Sequence, residues 1–129
     1  MDVLKILAHA APAEPKAPDF SGARKNELGS EMTLTVQGGK LSGRYKSTVS
    51  SGGKEIEGEL TGHVNGDLIA FTVNWPTAAI TAWVGQVVSV GGKDNIQTLW
   101  QMTTNIPEAQ EPKGLWHSVY AGTDTFARP

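Results

Sequence analysis

No stretch of the chain beyond Phe20 holds a hydrophobic helical period over three turns, and the one candidate, "IPEAQEPKG", is cut at both ends by proline. Short runs rich in β-branched and aromatic residues stand in its place, separated by "QGG", "SSGG", "NGD" and "GGKDN". Such clusters make tight turns, with Asn65-Gly66-Asp67 the strongest hairpin signal. The runs predict strands at Gly22–Asn26, Met32–Gln37, Lys40–Val49, Ile56–Val64, Leu68–Trp75, Ile80–Val90, Asn95–Thr104 and Trp116–Phe126. Pro76 stops the fifth, because proline has no N–H for the ladder. Connections this short forbid parallel crossovers, so neighbours pair antiparallel as a meander. The expected fold is all-β: one eight-stranded antiparallel up-and-down barrel that removes its own edges, with an open sandwich as the alternative.

Composition narrows what such a domain does. The chain has 129 residues, the size of one compact domain, and a formal charge of −2 with the signs interspersed, which argues against nucleic acid. With no cysteine, disulfides and thiolate metal sites are excluded. Its apolar runs fall far short of the ~20 residues that cross a bilayer, so no membrane partner is expected. The opening "MDVLKILAHAAPAEPKAPDF" differs in texture, and Pro12, Pro15 and Pro18 forbid regular pairing. Residues 1–19 are expected to form a flexible or loosely docked arm, with a signal-peptide remnant as the alternative, and residues 20–129 the barrel.

Strand parity then says what lies inside. Leu41, Gly43, Tyr45, Ser47 and Val49 share one face, and Ser42, Arg44, Lys46 and Thr48 the wet one. Phe71, Val73 and Trp75 go together, as do Thr81, Trp83 and Gly85, and Ile96, Thr98, Trp100 and Met102. A solid core would favour aliphatic residues, since a buried hydroxyl without a partner costs roughly 1–3 kcal/mol. Indoles interleaved with hydroxyls suit a cavity that grips a small, partly polar molecule.

The segments "KNELGS", "LSGRYKSTV", "FTVNW", "ITAWVGQ", "IQTLW" and "GTDTF" together resemble the avidin and streptavidin family of biotin-binding barrels, in family order from about Phe20 to Phe126. Taken singly, each residue in them is an ordinary strand or turn residue, and collinearity carries the likeness. The resemblance implies biotin as ligand, no cofactor and no reaction. It makes Asn26, Ser30 and Tyr45 the donors to the ureido oxygen, and Asp124 and Ser47 the acceptors for the two ureido N–H groups. Thr81 would meet the thioether sulfur, and Trp75, Trp83 and Trp100 would box the bicyclic ring and its chain. Val49, Ser50 and Ser51 would begin a closing loop, and Trp116 would reach into a neighbouring subunit's site within a homotetramer. Secretion, or a periplasmic location, is implied by the same likeness.

Two positions depart from the family pattern. Arg24 stands where a tryptophan is usual and shares a face with Asn26, so a cation would point to the closed end of the barrel. It would either snorkel outward or, buried, need a carboxylate or backbone carbonyls. Ala79 replaces a serine that binds the ligand carboxylate in streptavidin-like relatives. Rival readings are a lipocalin-like carrier of another small apolar molecule, and a structural module with Trp116 as an oligomer contact. The polar set Asn26, Ser30, Tyr45 and Asp124 argues against the carrier, which would leave it unpaired. An enzyme is not expected: His117 and Ser118 are adjacent in a strand and face opposite ways. Nor do His9, His63 and His117 have metal-ligand spacing, and the glycine turns precede strands rather than helices.

Overall fold

The structure, a computed structural model, describes residues 2–11, 18–48, 54–105 and 119–129. The strands are β1 (Gly22–Asn26), β2 (Glu31–Gln37), β3 (Lys40–Ser47), β4 (Ile56–Asn65), β5 (Leu68–Asn74), β6 (Ala79–Val90), β7 (Lys93–Thr104) and β8 (Val119–Ala127). Each pairs antiparallel with the next, and β8 returns to β1 through Lys25↔Ala127 and Asn26↔Phe126, closing the barrel. The sandwich alternative is thereby excluded. Val49 and Trp116 to Ser118, assigned above to the ends of two strands, lie outside the described residues.

The turns follow from their residues. Gly38-Gly39 and Gly91-Gly92 have φ of 58°, 81°, 59° and 78°, the two consecutive left-handed residues that a two-residue hairpin matched to strand twist requires. Between β1 and β2, Asn26 Oδ1 accepts from Leu28 N at 3.1 Å and Ser30 N at 2.8 Å, folding the chain round its own side chain. Period-two burial runs through the strands and lapses at the ends of β3, β6 and β8; it is clearest in β5, where Ile69, Phe71 and Val73 are buried and their neighbours exposed. The core includes Met32, Leu34, Leu41, Leu60, Ile69, Phe71, Val73, Ile96 and Phe126 with Phe20, and Tyr45 and Trp83 join it.

A helix not foreseen in the sequence, α1 (Val3–Ala8), precedes the barrel. Asp2 caps it by accepting from Leu4 N at 3.0 Å, and none of its residues is buried. Six residues are too few for a helical period to be read, which is why only the proline pattern was visible. Among the described residues no helix is long and apolar enough to cross a membrane.

Candidate functional site

Register sets the inward residues in layers. Phe71, Trp83, Trp100 and Gly122 lie side by side across β5 to β8, flanked by the row Val73, Thr81, Met102 and Tyr120 and by the row Ile69, Gly85, Thr98 and Asp124. The candidate residues of β1 and β3 reach the same interior, since Tyr45 stacks on Trp83 with centroids 4.8 Å apart and meets Trp75 edge-on at 5.7 Å.

The polar tips converge. Asn26 Nδ2 donates to the Tyr45 hydroxyl at 3.4 Å, and the Ser30 side chain lies beside the same phenol, where it opposes the rise in the Tyr45 pKa. Because Asn26 Oδ1 is held by two backbone N–H groups, the amide is fixed with its NH₂ toward the interior. Asp124 lies beside Asn26 and Glu27, which act on its charge, and its Oδ2 accepts from Trp83 Nε1 at 2.9 Å. The Thr98 hydroxyl donates to the Asp124 carbonyl at 3.0 Å, pinning the strand beneath that carboxylate. Asn26, Ser30, Tyr45 and Asp124 are all buried, so donors and one carboxylate face each other in a dry setting. Ser47, two residues beyond Tyr45 on the same face, is half-buried, with no side-chain bond to this cluster among the described residues.

The three described indoles are not equivalent. Trp83 is 3% exposed and also stacks on Phe71 at 4.9 Å, so it is built into the core. Trp75 and Trp100 are half-buried. Trp75 Nε1 donates to Thr81 Oγ1 at 2.9 Å, which orients the indole and leaves the threonine O–H as a donor. Two glycines make room: a Cβ on Gly122 would lie 2.7 Å from Trp100 Cζ2, and one on Gly58 would lie 3.1 Å from Trp75 Cε3. Val49, Ser50, Ser51 and Trp116 fall outside the described residues.

Several contributors were not singled out in the sequence. Counting back by twos from Asp124 finds Gly122 and then Tyr120, which is half-exposed opposite Met102. No such count finds Glu27: it sits in a turn and reaches the group because its Oε2 accepts from Thr125 N at 2.9 Å. Arg24 does not snorkel outward but is buried, and its Nη2 donates to a backbone carbonyl, that of Asp19, at 2.7 Å. At position 79 the side chain is a methyl group, and the N–H is already bonded to Thr77 O at 2.7 Å.

Electrostatics follow burial. Desolvation raises the Tyr45 phenol, with the Asp124 charge adding to it, so Tyr45 stays a neutral donor. Asp124 is raised above 3.8, chiefly by burial, with the Trp83 bond opposing and Glu27 reinforcing the shift. The folded state therefore holds this proton more tightly than the unfolded chain does. The associated stability of the ligand-free barrel is full below pH 3.8 and is lost as pH rises through the raised value. Asp124→Asn is expected to remove that decline, which denaturant unfolding of both proteins across pH checks. Among the described residues no group of His, Asp or Glu could hold a metal ion.

Comparison with known proteins bears on this arrangement. The model of the avidin family matches residues 14–129. Xenavidin is similar at 26% identity and a TM-score of 0.76, over 88% of this chain and 100% of that one. The biotin binding protein from chicken is similar at 29% identity and a TM-score of 0.75, over 86% and 96%. The protein named AVR2, at 24% identity and a TM-score of 0.77 over 88% and 98%, supports the fold. Comparison with curated proteins returned no match.

Proposed function

The chain belongs to the avidin family, whose members are binding proteins rather than enzymes, and from that premise we propose that it binds biotin in the barrel mouth without chemical change. The observation that carries this reading is the buried convergence of Asn26, Ser30 and Tyr45 beside the Asp124 carboxylate. A cyclic urea offers one carbonyl oxygen and two N–H groups. Three donors around the oxygen polarise the ring as an oxyanion hole polarises an acyl group. A carboxylate then accepts from the more acidic N–H in a charge-assisted bond. No reaction follows, so the electrostatics become affinity. Ser47 is the second acceptor and Thr81 turns its free O–H to the thioether. Trp75 and Trp100 form the walls with Trp83 beneath, and Val49, Ser50 and Ser51 begin the closing loop. Walls set before the ligand arrives avoid an ordering cost on binding.

Titration with biotin, and separately with a fatty acid, tests this against the lipocalin-like alternative. Saturable heat with biotin and none with the fatty acid is expected; the converse would favour the carrier. Position 79 offers the ligand tail neither a hydroxyl nor a free N–H. Biotin and biotin amides are therefore expected to differ less in affinity than in a relative with serine there. A large preference for free biotin in a competition titration would contradict this.

We further read the chain as self-associating, in a homotetramer where Trp116 completes a neighbour's site. The outward residues of β3 and β4 include Lys40, Arg44, Lys46, Glu57 and Glu59, whereas β5 to β8 turn out no charged side chain between Leu68 and Asn74, Ile80 and Val88, Asn95 and Thr103, or Val119 and Thr125. Val84 and Leu99, paired across β6 and β7, are 63% and 68% exposed there. An uncharged apolar face suits a symmetric contact with a second copy. Val84→Lys combined with Leu99→Lys is expected to reduce the mass measured by light scattering to that of a smaller assembly. An unchanged mass would place the interface elsewhere.

A further inference from the structure

At the end of the barrel away from Trp75 and Tyr120, two guanidinium groups meet. Arg24 Nη2 and Arg128 Nη2 both donate to the carbonyl of Asp19, at 2.7 and 2.9 Å. Arg128 Nη1 also reaches Ser21 O at 3.3 Å. Arg24 is 5% exposed, and its Nε is buried with no hydrogen-bond partner. Arginine cannot shed its proton to escape burial, so this cation needs a counter-charge. A carbonyl supplies only a partial one, here shared between two cations. The Asp19 carboxylate is engaged elsewhere, its Oδ1 accepting from Ser21 N at 3.0 Å and Ser21 Oγ at 2.6 Å. Among the described residues neither guanidinium has a carboxylate within ion-pair distance. Beside them is a cavity of about 220 Å³ lined by Arg24, Arg128, Asp19, Asp94, Val87 and Ile96.

We propose that this cavity is an anion site, taking a small monovalent inorganic anion such as chloride between Arg24 Nε and the Arg128 guanidinium. Burial disfavours the Arg24 charge and Arg128 repels it, while Asp19 and Asp94 act in the opposite sense. An anion in the cavity relieves the first two effects together. The two carboxylates at its edge weigh against a multiply charged occupant. The site tethers both ends of the barrel chain at its floor, the segment before β1 and the residue after β8, and is separate from the biotin pocket.

Bromide is the probe. Crystals of the unaltered protein grown in sodium bromide should give an anomalous peak in contact with both guanidinium groups. In solution, Tm should rise with sodium chloride substituted for sodium gluconate at constant ionic strength, as for any ligand of the folded state alone. Arg128→Gln, at an exposed position, should flatten that response. No peak at Arg24, an Asp94 carboxylate turned in against Arg24 in its place, or equal chloride responses in the two proteins would each overturn the assignment.

Discussion

Asp124→Ala is expected to weaken biotin binding by at least ~2 kcal/mol, about thirtyfold in Kd. The ligand N–H loses a charged acceptor in a buried site. Trp83 Nε1, now bonded to Asp124 Oδ2 at 2.9 Å, also loses its partner, which costs the free and the bound protein alike and so lowers stability rather than affinity. Asp124→Asn separates affinity from stability, since its one amide oxygen still accepts from Trp83 while its NH₂, a donor, faces the ligand N–H. It should therefore bind biotin no better than the alanine variant while unfolding at higher denaturant. Competition titration of the three proteins measures the series, and an unchanged affinity for the alanine variant would remove Asp124 from the site.

Trp83→Ala is expected to destabilise the ligand-free barrel by about 3–5 kcal/mol, the range for removing a large aromatic from a core. The indole is 3% exposed and stacked on both Tyr45 and Phe71, so its loss opens a cavity between rings that position the polar cluster. Asp124 would also lose its indole donor. Trp100→Ala should cost distinctly less, because that ring is only half-buried and packs on Gly122. Denaturant unfolding of ligand-free protein compares the two. Equal losses would show that the tryptophans share one role.

Strand positions and faces were legible because both depend on nearest neighbours: glycine pairs fix the hairpins, and a period of two carries inside and outside along each run. Hence strand parity alone turns Tyr45, Thr81, Trp83 and Trp100 inward, and sets Asn26 and Arg24 on one face. What joins these residues was not legible. The bond between Trp83 and Asp124 spans β6 and β8, with β7 between, and depends on side-chain rotamers. Arg24 meets Asp19, which precedes the strand pattern, and Arg128 near the other end of the chain comes beside it only once β8 closes on β1. The unequal burial of the three indoles was hidden for a related reason: parity gives a direction, while depth depends on where each layer sits in the barrel.

A structure of the protein bound to biotin decides whether the polar cluster is the ureido site. The ureido oxygen should lie within hydrogen-bond reach of Asn26 Nδ2, Ser30 Oγ and the Tyr45 hydroxyl, with one ureido N–H on the Asp124 carboxylate. A ureido ring bound outside the barrel, or inside it with these four groups bonded only to each other or to water, would contradict that placement.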